Sequence, residues 1–136
     1  MHPSQQPGSG PLVLIIDPDP DGRGSFLIRL PRKPGQLIRA CQSAVGGYVE
    51  AIGPLARDWA CYACEDAKRL GMPVNHIATA LYHLMGSALR EGDQLRGTVI
   101  FLGSSGTRET DVPEQLLRAA RGLIDGITLD YAGETS

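Results

Sequence analysis

Cysteine, clustered basic charge and long apolar runs are all scarce in this chain of 136 residues. Its three cysteines are an odd number and too few to staple a domain of this size, which argues for a reduced, intracellular setting over secretion. Lys and Arg occur singly or in short pairs such as Arg32-Lys33 and Lys68-Arg69, and the formal net charge is -2. A phosphate-backbone footprint needs basic residues gathered on one face, so nucleic acid is not an expected partner. The longest apolar run, Leu12 to Ile16, falls far short of the roughly 20 residues of a bilayer-spanning helix. The opening residues MHPSQQPGSGP lack the basic n-region and apolar stretch of a signal peptide and read as a disordered leader over residues 1–11. A soluble, cytoplasmic protein is the expectation, with no membrane partner.

What is present suits one small core. At 42% hydrophobic residues, a chain of this length folds as a single domain that buries about two-thirds of its unfolded surface. Leu12–Ile16 and Ser25–Leu30 are β-branched, apolar runs around DPDPDGRG and predict a hairpin. From Leu37 the spacing turns helical through Ile38, Cys41, Ala44 and Val45, with Pro34 at the start and Gly46-Gly47 as a left-handed stop, Gly47 supplying the positive φ. Tyr48–Ile52 predicts a strand closed by Gly53-Pro54. Trp59–Cys64 predicts another, although its alanines also suit a helix. Glu65 to Pro73 has loop chemistry.

Asn75 stands where an N-cap belongs, and replacing a cap by alanine costs about 1 kcal/mol. Behind it Ile77, Ala78, Leu81, Leu84 and Met85 make a helical stripe. Thr98–Leu102 predicts a strand broken by Gly103-Ser104-Ser105-Gly106. Asp111 then caps a last helix with Pro113 in its first turn and Leu116, Leu117, Ala120, Leu123 and Ile124 on one face. Ile127–Tyr131 can add a short edge strand, and residues 132–136 read as a loose tail. The order β-β-α-β-β-α-β-α predicts an α+β domain over residues 12–131, a mainly antiparallel sheet with about three helices packed on it.

Several short patterns carry chemistry in other settings. Asp17-Pro-Asp19-Pro-Asp21-Gly22 reproduces the opening of a calcium loop, but position twelve is Ile28 where a bidentate glutamate belongs, and the same residues make ordinary surface turns. Cys61 and Cys64 have C-x-x-C spacing, and Cys41, His76 and His83 are the available further ligands for zinc. On an extended strand, however, Cys61 and Cys64 point to opposite faces. Neither histidine has a nucleophile at recognisable spacing. Gly103-Ser104-Ser105-Gly106-Thr107 follows a strand and can aim N–H groups and hydroxyls at an anion, but it lacks the lysine of a P-loop. No metal, cofactor or catalytic residue is therefore expected.

Gly46-Gly47-Tyr48-Val49-Glu50, then Glu65, Leu70-Gly71-Met72-Pro73-Val74-Asn75 with Ala78, and Gly97 ahead of a strand ending at Gly103 resemble the pattern of a domain-of-unknown-function family of small bacterial, phage and plasmid proteins. The stretch Ala63 to Arg69 departs from that pattern toward helix. The resemblance implies an accessory protein of a phage, plasmid or host with no established activity. It also draws attention to Glu50, a carboxylate near Tyr48 with no packing role. The leading expectation is a non-enzymatic binding or interaction protein with a protein partner. The alternative is a binder of a nucleotide or other phosphorylated ligand through Gly103–Thr107, with Glu50, Tyr48 and Asn75 as further contacts. A third is an enzyme using Glu50 or Glu65 as acid or base.

Overall fold

The computed structural model describes residues 9–52, 58–86, 89, 92–124 and the backbone of 128–129. The expected leader over residues 1–8, the stop at Gly53-Pro54 and the tail from residue 132 lie outside these. Ser9 to Pro11 do not belong to a leader: the Gly10 N–H donates to the Leu30 carbonyl at 2.8 Å, the Leu30 N–H donates to that of Pro11 at 3.0 Å, and Gly10 and Pro11 are buried.

The chain is a single α+β domain. Strands β1 (Leu12–Ile16) and β2 (Phe26–Arg29) form the expected hairpin, followed by helix α1 (Pro34–Val45), strands β3 (Val49–Ile52) and β4 (Trp59–Cys64), and helix α2 (His76–Leu84). Then come β5 (Val99–Ser105), β6 (Arg108–Thr110), helix α3 (Glu114–Arg121) and β7 (Thr128–Leu129). The sheet order is β3-β4-β5-β1-β2-β7, with β6 paired to β5. Neighbours are antiparallel except β2 and β7, which run parallel. No helix among the described residues is long and apolar enough to cross a membrane.

Both faces of the sheet are covered, which explains why β1 is apolar at every position instead of alternating. Leu14 and Ile16 join Trp59, Cys61 and Phe101 beneath α2 and α3, while Val13 and Ile15 join Ile100 and Leu102 beneath α1. Pro34 opens α1, and Gly46, at φ 81°, ends it with its N–H on the Gln42 carbonyl at 2.9 Å. The left-handed position is therefore Gly46, not Gly47. A Cβ at Gly47 would instead stand 3.0 Å from the Cys64 sulfur, so that glycine serves close approach.

Three further expectations are corrected. The buried face of α2 is Ala78, Leu81 and Tyr82, whereas Leu84 is 61% exposed, because the Tyr82 ring turns in to meet Trp59 edge-on at 5.6 Å. The strand β5 continues through Gly103–Ser105, since β6 returns alongside it in the register Gly103↔Thr110 and Ser105↔Arg108. Asp111 does not cap α3, whose N-cap is Pro113 without a side-chain bond. Asp111 Oδ1 accepts the Leu12 N–H at 2.9 Å and Arg29 Nη1 at 3.0 Å, tying the start of β1 to β2 and the α3 approach.

Partial burial pushes the Asp111 carboxyl upward, but the Leu12 N–H and the Arg29 guanidinium outweigh it and hold the group below its ordinary value. A depressed carboxyl contributes stability above its unfolded-state pKa and loses that contribution as pH falls through the folded-state value. Wild-type protein should therefore lose stability on acidification through the carboxylate range. Thermal melts of Asp111→Asn should show a shallower acid limb, and parallel limbs would contradict the pairing.

Candidate functional site

The Asp17–Asp21 turn spends its carboxylates on its own backbone. Asp17 Oδ1 accepts the Asp19 N–H at 2.9 Å, and Asp19 Oδ2 accepts those of Asp21 at 3.0 Å and Arg23 at 3.1 Å. These bonds are the Asx-turn arrangement that aspartate adopts in connections. Among the described residues no group of three or more His, Cys, Asp or Glu is placed to hold a metal ion. Cys61 and Cys64 lie on opposite faces of β4, one in each core cluster, and all three cysteines are free thiols. His76 and His83 are exposed, the latter edge-on to Tyr82 at 6.3 Å.

The Gly103–Thr107 segment divides. Gly103–Ser105 are ladder residues, and the Ser104 N–H donates to the Asp58 carbonyl at 2.9 Å. A Cβ at Gly103 would collide with the Asp111 carbonyl and Thr110 Oγ1, so this glycine is demanded by packing. Only Gly106, at φ 64°, and Thr107 form the turn, and open space surrounds Gly106. Asn75 is fully buried with its side-chain amide committed to backbone groups. Tyr48 stands 71% exposed beside β3.

Two of the concavities among the described residues border the sheet. The smaller, of about 250 Å³, brings together Glu50 and Glu65 with Lys68, Asp93 and Arg96. Lys68 Nζ and Asp93 Oδ1 are paired at 2.8 Å, and Arg96 Nη1 donates to the Met72 carbonyl at 3.2 Å, leaving Arg96 Nε buried without a partner. The two glutamates singled out by the resemblance thus share one depression at the sheet edge, although both are exposed.

The larger, of about 580 Å³, is a groove between the first half of α1 and the β5–β6 hairpin. Pro34, Leu37 and Ile38 form its apolar wall, and Ile38 is 42% exposed. Cys41 and Tyr62 lie at its floor. The Tyr62 hydroxyl donates to Glu109 Oε2 at 3.0 Å across the width of β5. Burial, the Glu109 hydrogen bond and neighbouring charge all push the phenol upward. Burial, then Glu109, pushes the Cys41 thiol up to about 11. Both groups stay protonated at neutral pH, so neither is poised as a nucleophile.

At the rim stand Arg32 and Arg108. Arg32 Nε donates to the Ser9 carbonyl at 3.0 Å, and its guanidinium makes no ion pair among the described residues, although its charge acts on the Asp111 carboxyl. Arg108 pairs with Ser105 in the β5–β6 ladder, and its side chain makes no ion pair among the described residues. The positive end of α1 also opens here, with no side-chain cap and no acidic residue in its first turn, and adds potential of the same sign. Thr107 is the one residue of the sequence-predicted loop that lines this groove. Arg32, Tyr62, Arg108 and Glu109 carried no motif, and Ile38 entered only as part of the apolar stripe of α1, where the structure leaves it 42% exposed.

Residues 11–125 match the family described as Domain of unknown function (DUF3846). The chain belongs to this family. The DUF3846 match takes in the β1–β2 hairpin and α3 as well as the central blocks, so both concavities fall within it. No curated protein and no solved structure matches the chain.

Proposed function

We propose that this protein is a non-enzymatic binding protein that takes a small, partly apolar organic molecule into the groove between α1 and the β5–β6 hairpin. The observation that carries the reading is the groove itself: about 580 Å³, with an apolar wall and a few polar groups converging at floor and rim. Small-molecule sites share that design, at roughly 300 to 1,000 Å³ with a handful of polar residues fixing orientation. The protonated thiol and the carboxylate-bound phenol favour binding over chemistry, because neither group is activated. An accessory protein of a mobile element would act through such a site by withdrawing a host metabolite or signal.

The test is saturable binding of a neutral apolar probe, phenylnaphthylamine, followed by its fluorescence. One molecule per chain is expected. Ile38→Glu sets a charge on the apolar wall at an exposed position and should weaken binding about tenfold, the equivalent of losing one well-buried contact. Its melting temperature should stay near that of wild type. Absence of saturable binding, or affinity indifferent to Ile38→Glu, rejects the reading.

A further inference from the structure

The charges around the groove go further than its shape. Two arginines, Arg32 and Arg108, line the groove without an ion pair among the described residues, against the single lining carboxylate of Glu109. Five other arginines are paired among the described residues, Arg23 with Asp21 at 3.5 Å, Arg29 with Asp111 at 3.0 Å, Arg69 with Asp66 at 3.1 Å, and Arg118 and Arg121 with Glu114 at 4.0 and 3.6 Å, whereas Arg39 and Arg96 are not. Two of the arginines without an ion pair among the described residues thus line this groove. A guanidinium presents a planar fork of donors suited to carboxylate and phosphate oxygens.

Resting on the binding role proposed above, we infer that the groove's ligand is an organic anion whose charged head sits between Arg32 and Arg108 and whose apolar body lies on Leu37 and Ile38. Glu109 sets the direction. Its Oε2 is taken by the Tyr62 hydroxyl, and its negative charge repels an anionic head, which confines the head to the arginine side. The other Glu109 oxygen accepts an O–H or N–H donor on the ligand body. Phosphate and carboxylate heads share this chemistry. A short apolar acid with a donor on its ring system satisfies every group in the groove.

Two probes with one ring system separate charge from shape: anilinonaphthalene sulfonate, which is anionic, and phenylnaphthylamine, which is neutral. Wild-type protein should bind the sulfonate about tenfold more tightly, as one charge-assisted hydrogen bond implies. That advantage should shrink with added salt and vanish in the Arg32→Gln/Arg108→Gln double variant, with the neutral probe unchanged. Phenyl phosphate or phenylacetate should displace the sulfonate, and the better competitor identifies the head group. Equal affinity for both probes in wild type, an advantage that survives in the double variant, or displacement by neither competitor overturns the anion assignment while leaving the groove as a binding site. Failure of both probes to bind, by contrast, removes the groove reading itself.

Discussion

Asn75→Ala should destabilise the protein by about 3 to 5 kcal/mol, well beyond the roughly 1 kcal/mol of an ordinary N-cap. Asn75 Oδ1 accepts the Ala78 N–H at 2.9 Å, which is the capping bond. Its Nδ2 also donates to the Ile16 carbonyl at 3.0 Å and the Gly97 carbonyl at 2.8 Å, in a site with no solvent exposure. Truncation orphans two buried acceptors and one donor, each at about 1 to 3 kcal/mol, with partial relief where water enters the vacated space. Asn75→Asp should fare no better, because a buried carboxylate would face the two carbonyls it replaced a donor to. Urea unfolding measures both. A loss near 1 kcal/mol for Asn75→Ala would mean that only the capping bond contributes.

Trp59→Ala should cost about 3 to 5 kcal/mol, the range for deleting a large aromatic from a packed core. Trp59 is 1% exposed and sits between the Tyr82 ring, edge-on at 5.6 Å, and the Phe101 ring, tilted at 6.0 Å. It therefore bridges β4, β5 and α2, and its removal leaves a cavity that three elements must close together. Trp59→Phe should recover most of the loss by keeping one ring in place. The protein has a single tryptophan, so unfolding of the variants has to be followed by circular dichroism. A neutral Trp59→Ala would place the ring outside the core.

These two residues show how differently local and non-local information entered the sequence. The cap at Asn75 was legible because a cap is defined by its neighbours in the chain, and Ala78 is three residues away. Its bonds to Ile16 and Gly97 span 59 and 22 residues, and no spacing rule reaches that far. The α2 stripe shows the same limit: Leu84 and Tyr82 flank the same helical face, and the position of Trp59 on another element decides which turns inward. The short strand β6 went unread because Arg108-Glu109-Thr110 is polar and only partly covered, so its pairing to β5 supplies the order that its own pattern lacks. Asp111 looked like a cap because Asp commonly is one, and Arg29 and the Leu12 N–H claim its carboxylate instead.

The sequence by itself determined the α+β class, the β1–β2 hairpin, the start and stop of α1, and the separation of Cys61 from Cys64. Each follows from periodicity or from backbone constraints at proline, glycine and asparagine, which act over a few residues. Only the tertiary structure decided that helices cover both faces of the sheet, that Glu50 and Glu65 share one depression, and that Arg32, Ile38, Tyr62, Arg108 and Glu109 border one groove. Those five come from α1 and its approach, β4 and β6, segments that the strand order β4-β5-β1 and the return of β6 bring together. A binding groove is a property of packed surfaces, and side chains distant in the chain leave no periodic trace of their convergence.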